Sequence, residues 1–162
     1  AVVAMPQWPA FAETAGEWSL VLDAVNDPGN LGTLIRIADW YGVKHIPCSA
    51  DTVDVFNPKV IAAAKGSFLR VKLHYVDIAE QLSQAQQPIY GAFLQGDNIH
   101  QLQGQHQGGF LILGNEANGI RPETEALITQ RITIPAFGHA ESLNVGIAGA
   151  VILDNLKRLS NR

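Results

Sequence analysis

Three polar, glycine-bearing stretches of this 162-residue chain carry the side chains best suited to chemistry. The first is NDPGNLG at residues 26–32, followed by Arg36; the second is GNEANG at 114–119; the third runs from Ile134 and Pro135 to Ser142, Leu143 and Asn144. Together they offer amide, guanidinium, carboxylate and hydroxyl groups. Each stretch follows a predicted strand, so a parallel sheet could bring all three to one edge and form a polar site there.

Each stretch also has a purely structural interpretation. The run at 26–30 is favourable turn chemistry in any α/β protein, and 114–119 reads equally well as a strand-to-helix turn. Ser142 and Asn144 could simply cap the last helix. Arg36 could be a solvated surface arginine, although it lies one turn beyond the first stretch and its side chain can lean back toward it. The residues alone leave both interpretations open.

The elements that must position these residues alternate between strands and helices. Strands are predicted at 18–25, 43–48, 70–76, 88–94, 109–113 and 131–134, and helices at 31–41, 57–64, 77–86, 122–129 and 141–159. The Gly- and Gln-rich run at 95–108 is predicted as loop and turns. This alternation predicts an α/β fold, with a mostly parallel sheet and helices on both faces. Ligands of such sheets bind at the carboxyl ends of the strands.

The composition, 47% hydrophobic and 16% charged, is that of one folded domain. The net charge of −4 argues mildly against a freestanding nucleic-acid binder, which usually shows a basic face. No apolar run is long enough for a membrane span, and the segment AVVAMPQWPAF lacks the basic residues of a signal peptide. The single Cys48 excludes an internal disulfide and a multi-cysteine zinc site, and it favours a cytoplasmic setting.

Several common catalytic and nucleotide-binding motifs are absent. The sequence has no G-x-G-x-x-G after its first strand and no Walker sequence. No G-x-S-x-G elbow is present, so Ser142 is not a hydrolase nucleophile by motif. The five histidines show no metal-ligand spacing, and no metal is expected; they are His45, His74, His100, His106 and His139.

The order of the motifs carries the interpretation further. The patterns N-D-P-G-N-L-G-x-x-x-R, L-G-N-E-x-x-G-I and I-P-x-x-G-x-x-x-S-L-N-V resemble the three motifs of the SpoU (TrmH) family. The segment N-P-K-V-x-x-A-x-x-G-S, with Arg70 after it, resembles the family as well. These proteins are RNA 2'-O-ribose methyltransferases of the SPOUT superfamily, and the likeness extends from about Trp18 to the last helix.

The resemblance implies a fold, a cofactor and partners. The fold would contain a C-terminal trefoil knot, a rare exception to unknotted chains. S-adenosylmethionine would sit in that knot, and the enzyme would act as a homodimer with the site near the interface. The substrate would be a structured RNA. An rRNA is slightly favoured over a tRNA because residues 1–17 look like the linker that follows the small RNA-binding domain of two-domain rRNA members. The methyltransferase domain would then comprise residues 18–162.

The resemblance also implies roles for individual residues. Arg36 would act on the ribose hydroxyl, either as proton acceptor or by binding the target phosphate and polarising the hydroxyl. A guanidinium normally stays protonated, which favours the second role. Asn30, Glu116, Ser142 and Asn144 would complete the catalytic set. The cofactor would be held, mostly by backbone groups, at Leu94, Gln95, Gly96, Gly114, Asn115, Glu116, Gly119, Ile134, Pro135, Ser142, Leu143 and Asn144.

One motif position departs from the family, and two other functions stay open. The third motif usually runs S-L-N-V-S, and Gly146 replaces the second serine here, which would loosen a hydrogen bond at the start of the last helix. A knotted RNA-binding module without activity is one alternative, and the retained motif residues count against it. A dinucleotide-binding α/β domain is the other, and the missing glycine fingerprint counts against it.

Overall fold

The computed structural model describes residues 8–104 and 107–160. Residues 1–7 of the expected linker, and His106, lie outside the described residues. The strands are β1 (Trp18–Asp23), β2 (His45–Cys48), β3 (Lys72–Tyr75), β4 (Ile89–Asn98), β5 (Gly109–Gly114) and β6 (Gln130–Thr133). The helices are α1 (Pro28–Trp40), α2 (Pro58–Ala64), α3 (Ile78–Ser83), α4 (Pro122–Glu125) and α5 (Val145–Ser160).

The strands form one six-stranded sheet in the order β3-β2-β1-β5-β4-β6, and every pairing is parallel. The prediction of a parallel α/β sheet is therefore confirmed. Alternate residues of β1 point to opposite faces: Leu20 and Leu22 enter one buried cluster, and Val21 enters the other. Helices α1, α2 and α5 cover the first face and α3 the second, so both faces are buried, as continuous apolar strands require.

The two central strands are paired along their whole length. β1 and β5 are in register from Trp18 opposite Gly109 to Asp23 opposite Gly114. Their carboxyl ends therefore lie side by side, and the chain leaves β1 and β5 at the same edge of the sheet. This register places the first and second polar stretches next to each other.

Strand β4 is longer than predicted and interrupted. Both Ala92 and Asp97 are aligned with Ile132 of β6, so the residues numbered 93–96 leave the ladder and the strand resumes afterwards. The prediction of loop from residue 95 is wrong for 95–98, because β4 continues to Asn98 and residues 97–98 pair with β6. The error arose because Gly96, Asp97 and Asn98 are turn formers, yet β6 supplies a partner that the local sequence does not reveal.

The last helix begins later than predicted. The side-chain oxygen of Asn144 accepts hydrogen bonds from the backbone N–H of Gly146 at 2.9 Å and of Ile147 at 3.3 Å, so Asn144 caps α5 and the helix starts at Val145. The predicted start at residue 141 is therefore wrong, because capping ends the helical backbone at that residue. Helix α4 is also shorter than predicted and ends at Glu125.

The segment that precedes β1 packs against the sheet. Phe11 is buried, and its ring centre lies 5.8 Å from that of His45 and 5.5 Å from that of His74. The two imidazoles are hydrogen-bonded to each other at 3.0 Å. Cys48 is fully buried, and this burial raises the pKa of its thiol to about 12. Among the described residues, no helix is long and apolar enough to cross a membrane.

Candidate active site

A cavity of about 750 Å³ opens at the carboxyl ends of β4 and β5 and beside the start of α5. Its volume lies within the range of small-molecule sites. Its wall includes most of the residues expected to hold a cofactor: Leu94, Gln95, Gly114, Asn115, Glu116, Gly119, Ile134, Ser142, Leu143 and Asn144. The second and third motifs, and the irregular part of β4, therefore meet around one space.

Gly96 and Pro135 do not line this cavity. Gly96 instead lies against β6, because a Cβ built on it would stand 2.7 Å from the carbonyl oxygen of Arg131. Its role in the structure is to let residues 93–96 fold over the edge strand without a side chain in the way. Thr133 supports the same segment by donating its hydroxyl to the carbonyl of Leu94 at 3.1 Å.

The loop after β5 requires a glycine at its start. A Cβ on Gly114 would lie 2.3 Å from the carbonyl carbon of Gly119, a distance that no real side chain adopts. The loop closes on itself there, since Asn115 and Gly119 exchange backbone hydrogen bonds of 3.0 and 2.8 Å. The tight closure exposes Glu116, Ala117 and Asn118 on the cavity wall.

One hydrogen-bonded chain joins all three motifs. The side-chain amide of Asn30 donates to the carboxylate of Glu116. The amide of Asn144 donates to the side-chain oxygen of Asn30 at 2.9 Å. Asn30 itself stands at the first turn of α1, where Asp27 caps the helix by accepting from the Asn30 backbone N–H at 2.8 Å. The prediction that the fold brings these three stretches to one edge is therefore confirmed for Asn30, Glu116 and Asn144.

Arg36 is not part of the cavity wall. It lies on an exposed groove of about 590 Å³ between α1 and α5, lined by Thr33, Arg36, Ile37, Asp39, Trp40, Tyr41, Ser67 and Ala150. Arg36 therefore lines this groove and not the cavity at the strand ends. In the groove, Asp39 is engaged by Arg70 at 2.6 Å, and this hydrogen bond lowers the pKa of the Asp39 carboxyl. In the part of the chain that the structure describes, Arg36 has no ion-pair partner.

Phe93 and Arg131 are among the residues of the cavity wall that were not found from the sequence. The guanidinium of Arg131 stacks on the ring of Phe93 at 3.6 Å from the ring centre and pairs with Glu125. Arg131 and Glu116 are the charged groups of the wall. Both Phe93 and Arg131 lie within predicted strands, and a strand's alternation does not distinguish a cavity wall from solvent. Within residues 8–104 and 107–160, no group of three candidate metal ligands is present.

The cavity has a mixed polar and apolar lining. Its polar residues include Glu116, Ser142 and Asn144, and its apolar residues include Leu113, Ile134, Val145, Ala148 and Ile152. This lining suits a ligand that has both apolar and polar, charged parts, because it offers hydrogen bonds and charge as well as dispersion contacts.

Comparison with known proteins identifies the family. Residues 17–154 match the model of the SpoU rRNA methylase family. The chain is 35% identical over 141 residues to the 23S rRNA (guanosine(2553)-2'-O)-methyltransferase RlmP of Bacillus subtilis, covering 85% of this chain and 57% of that protein. It is 32% identical over 139 residues to the 23S rRNA (guanosine-2'-O-)-methyltransferase RlmB of Bordetella pertussis, covering 83% of this chain and 56% of that protein.

A solved structure agrees with these relatives. The AdoMet-bound rRNA methyltransferase from Sinorhizobium meliloti superposes with a TM-score of 0.82 at 31% identity, over 88% of this chain and 56% of that one. The chain thus spans somewhat more than half the length of the relatives it matches. Since the family model covers the sheet, the cavity and all three motifs, the chain belongs to the SpoU rRNA methylase family.

Proposed function

We propose that this chain transfers a methyl group from S-adenosylmethionine to a ribose 2'-hydroxyl of a structured RNA, with rRNA favoured over tRNA. The observation that carries the proposal is the convergence of three motifs, through Asn30, Glu116 and Asn144, at the rim of one cavity. The relatives named as 23S rRNA 2'-O-methyltransferases, and the AdoMet-bound neighbour, support the choice of reaction and of RNA class.

The residues present fit the proposed cofactor. The cavity combines an apolar wall, a carboxylate and closely approaching backbone at Gly114, where a Cβ would collide with the loop. Backbone groups at Leu94, Gln95, Gly114, Ile134 and Leu143 would hold the adenosyl part, and Glu116 would face its positive charge. When bound, S-adenosylmethionine supplies a methyl group on a sulfonium, and the ribose oxygen bonds to this carbon as the carbon–sulfur bond breaks.

The chain's own residues would position the attacking hydroxyl and handle its proton. Transfer from a sulfonium needs in-line placement more than acid catalysis. Asn30 orients the Glu116 carboxylate by donating to it, and Asn144 fixes the Asn30 amide by donating to its oxygen. Ser142 offers a hydroxyl on the same wall. Arg36 would bind the target phosphate and polarise the 2'-hydroxyl, so that its proton can pass to a phosphate or carboxylate oxygen.

A homodimer is proposed to place Arg36 at a junction between subunits. The groove that Arg36 lines carries Trp40, which is 84% exposed, and Ile147, one turn before the groove residue Ala150, is 55% exposed. Large apolar side chains on one face are typical of an interface. A second copy covering this face is the proposed partner. Sedimentation of the chain should show a dimer, and Trp40→Glu should yield monomers, whereas Trp8→Glu, whose ring lies against Lys72 and outside this groove, should not.

Three further features belong to this proposal. The C-terminal segment is proposed to form the trefoil knot that the family resemblance implies; the return of α5 to pack on α1 and β5, after β6 has joined the far edge of β4, supports it. Residues 1–17 are proposed as an extension before the methyltransferase domain of 18–162, which the family match from residue 17 supports. Action in the cytoplasm is proposed because the named relatives act on rRNA.

The binding step can be tested without knowing the RNA. We expect isothermal calorimetry to detect binding of S-adenosylhomocysteine, with no change in a chelator, and to detect no binding of NAD. Binding that is lost in chelator and restored by a divalent ion would overturn the metal-free site. Binding of NAD in place of S-adenosylhomocysteine would overturn the proposed cofactor and favour a dinucleotide-binding domain.

A further inference from the structure

A fully buried carboxylate ends the first strand beside the cavity. Asp23 is 0% exposed and is the last residue of the otherwise uncharged run WSLVLD. An isolated carboxylate in such a place is strongly unfavourable unless its oxygens are hydrogen-bonded and its charge is paired. The Asp23 carboxylate therefore needs a partner whose hydrogen bonds and positive charge offset the cost of its burial.

Among the described residues, Arg121 supplies that contact. Its backbone N–H donates to one oxygen of Asp23 at 2.9 Å, and its Nε donates to the other at 2.6 Å. Its Nη2 lies 2.5 Å from the same oxygen as Nε. Both carboxylate oxygens are thus satisfied by one residue, through its main chain and its side chain together. Such forked, charge-assisted contacts fix geometry as well as supplying energy.

The contact between Asp23 and Arg121 fixes one end of a loop that lines the cavity. Arg121 follows directly after the loop of residues 115–120, whose members Glu116, Ala117 and Asn118 line the cavity. The beginning of this loop is tied to the same place, because the side-chain amide of Asn115 donates to the carbonyl of Ala24 at 2.8 Å. The loop is therefore anchored at both of its ends to the terminus of β1.

Ala24 is itself held in a conformation that alanine rarely adopts. Its φ is 60°, in the left-handed region, and its N–H donates to the hydroxyl of Ser49 at 2.8 Å. Such a backbone persists only where its surroundings fix it. The end of β1 is thus held rigidly from two sides. Ser49, which follows β2, contacts it on one side, and the loop of residues 115–120 contacts it on the other.

The other acids near Arg121 do not explain its placement. Asp51 and Glu123 lie 3.7 and 3.8 Å from its guanidinium, and their side chains are more than half exposed. Exposed pairs of this kind contribute little to stability. A buried pair such as Asp23–Arg121 is likewise weak evidence for net stability, since desolvation offsets the attraction, and specifying one geometry is its better-supported use.

We infer that Asp23 and Arg121 are positioning residues for the proposed reaction: their pair holds the loop of residues 115–120, and with it Glu116, in the geometry that binds the cofactor. The inference rests on the proposed function. Neither residue lines the cavity, so the pair acts through the loop and not on the ligand.

The test compares Arg121→Met with a matched loss of charge elsewhere. The Arg121 side chain is 38% exposed, so its replacement leaves the core filled. Lys44→Met removes a surface pair with Glu17 of 2.5 Å far from the loop and serves as control. We expect Arg121→Met to weaken S-adenosylhomocysteine binding about tenfold or more, the scale of losing a charge-assisted contact. Amide exchange in residues 115–120 should accelerate at the same time, and Lys44→Met should change neither.

Two further variants separate positioning from simple stability. Arg121→Lys keeps the charge but not the fork, and it should fall between wild type and Arg121→Met in both affinity and loop exchange. The double variant Asp23→Asn/Arg121→Met should lose no more affinity than the worse single variant, because the two residues act as one unit. An Arg121→Met variant with a lower unfolding midpoint but wild-type affinity and wild-type loop exchange would overturn the inference.

The failure of the inference is distinct from that of the proposed function. Wild-type binding of S-adenosylhomocysteine that Arg121→Met leaves unchanged removes the positioning role and leaves the proposed function standing. A wild-type chain that binds no S-adenosylhomocysteine overturns the proposed function, and the inference with it.

Discussion

The side-chain amide of Asn144 donates a hydrogen bond of 2.9 Å to the side-chain oxygen of Asn30, although 114 residues separate them in the chain. The same Asn144 caps α5 through its oxygen, and the same Asn30 donates to Glu116. Asn144 therefore has two roles: it caps α5, and it holds Asn30 in the proposed site. Experiments can separate the two roles.

Asn144→Ala should lower both stability and methyl transfer. Loss of the cap should reduce the free energy of unfolding by about 1 kcal/mol. Loss of the bond to Asn30 should free the amide that orients Glu116, and single-turnover methyl transfer should fall at least about tenfold, as expected for a misplaced charged group. Urea unfolding and single-turnover kinetics measure the two effects.

Asn57→Ala is the matched control for this variant. Asn57 caps α2 by accepting from the backbone N–H of Lys59 at 2.9 Å, outside the cavity. Its replacement should lower the free energy of unfolding by a comparable amount and leave transfer unchanged. Equal losses of transfer in both variants would show that stability alone explains the effect, and would remove the proposed role of Asn144.

Much of this arrangement follows from the sequence. Asn30, Glu116 and Asn144 could be expected at one edge because each follows a strand, and the carboxyl ends of parallel strands share an edge. The register of β1 against β5, from Trp18 opposite Gly109, then sets the first two stretches side by side. The alternation of Leu20, Val21 and Leu22 between two cores also follows from strand periodicity.

Other features depend on contacts that local sequence does not encode. The strand at 97–98 forms because β6 offers a second register at Ile132. The direction of Arg36 depends on how α1 packs on α5, and that packing leaves its side chain on the groove beside Trp40. The place of Gly146 also depends on packing between helices. A Cβ at Gly146 would lie 3.0 Å from a methyl of Thr33, so the lack of a side chain at Gly146 allows α5 to approach α1 closely.

Gly114→Ala tests whether the loop closure forms the ligand cavity. The added Cβ would stand 2.3 Å from the carbonyl carbon of Gly119, and backbone must move to accommodate it. We expect S-adenosylhomocysteine affinity to fall on the order of a hundredfold, because the clash strains the loop backbone and also displaces the residues that line the cavity. Calorimetry measures the affinity.

Gly138→Ala provides the comparison for Gly114→Ala. A Cβ at Gly138 meets nothing within 4 Å, and its backbone is not in the left-handed region. This variant should bind as wild type does. If Gly114→Ala also bound normally, the loop of residues 115–120 would not be a wall of the ligand site.

The histidine pair under Phe11 predicts a loss of stability on acidification. Burial is the main cause that lowers the pKa of His45 and the pKa of His74. The charge of Lys72 lowers both pKa values further, and Glu17 partly opposes this by raising the pKa of His45. The unfolded chain therefore binds more protons than the folded chain below the ordinary value of 6.5. The free energy of unfolding should fall as the pH drops from 6.5 through the lowered pKa values, and then level off for these two groups.

The double variant His45→Gln/His74→Gln isolates this contribution. Urea unfolding at a series of pH values between about 5 and 8 should show a shallower decline for the variant than for wild type, because the linked protons are gone. His139→Gln, which replaces an exposed histidine, should keep the wild-type slope. Identical slopes for wild type and the double variant would show that the pair does not titrate with unfolding.

Arg36 should matter for transfer and not for cofactor binding. It lies outside the cavity wall, so Arg36→Ala should leave S-adenosylhomocysteine affinity unchanged. Single-turnover transfer should fall on the order of a hundredfold, the scale of losing a charge-stabilising group. Arg36→Lys should restore little, because an ammonium lacks the planar fork that grips a phosphate. Arg158→Ala, an exposed arginine near the end of α5, should transfer normally, and normal transfer by Arg36→Ala would remove the assigned role.

The central claim, transfer to a ribose oxygen, is tested most directly by locating the transferred methyl group. The chain is incubated with methyl-labelled S-adenosylmethionine and unmodified rRNA and tRNA transcripts, and the RNA is hydrolysed with alkali. A 2'-O-methyl group blocks attack on the neighbouring phosphodiester, so the account predicts that the label appears in alkali-stable dinucleotides, and preferentially in those from rRNA. Label released as mononucleotides, which marks a methylated base, or no label in any transcript, would contradict it.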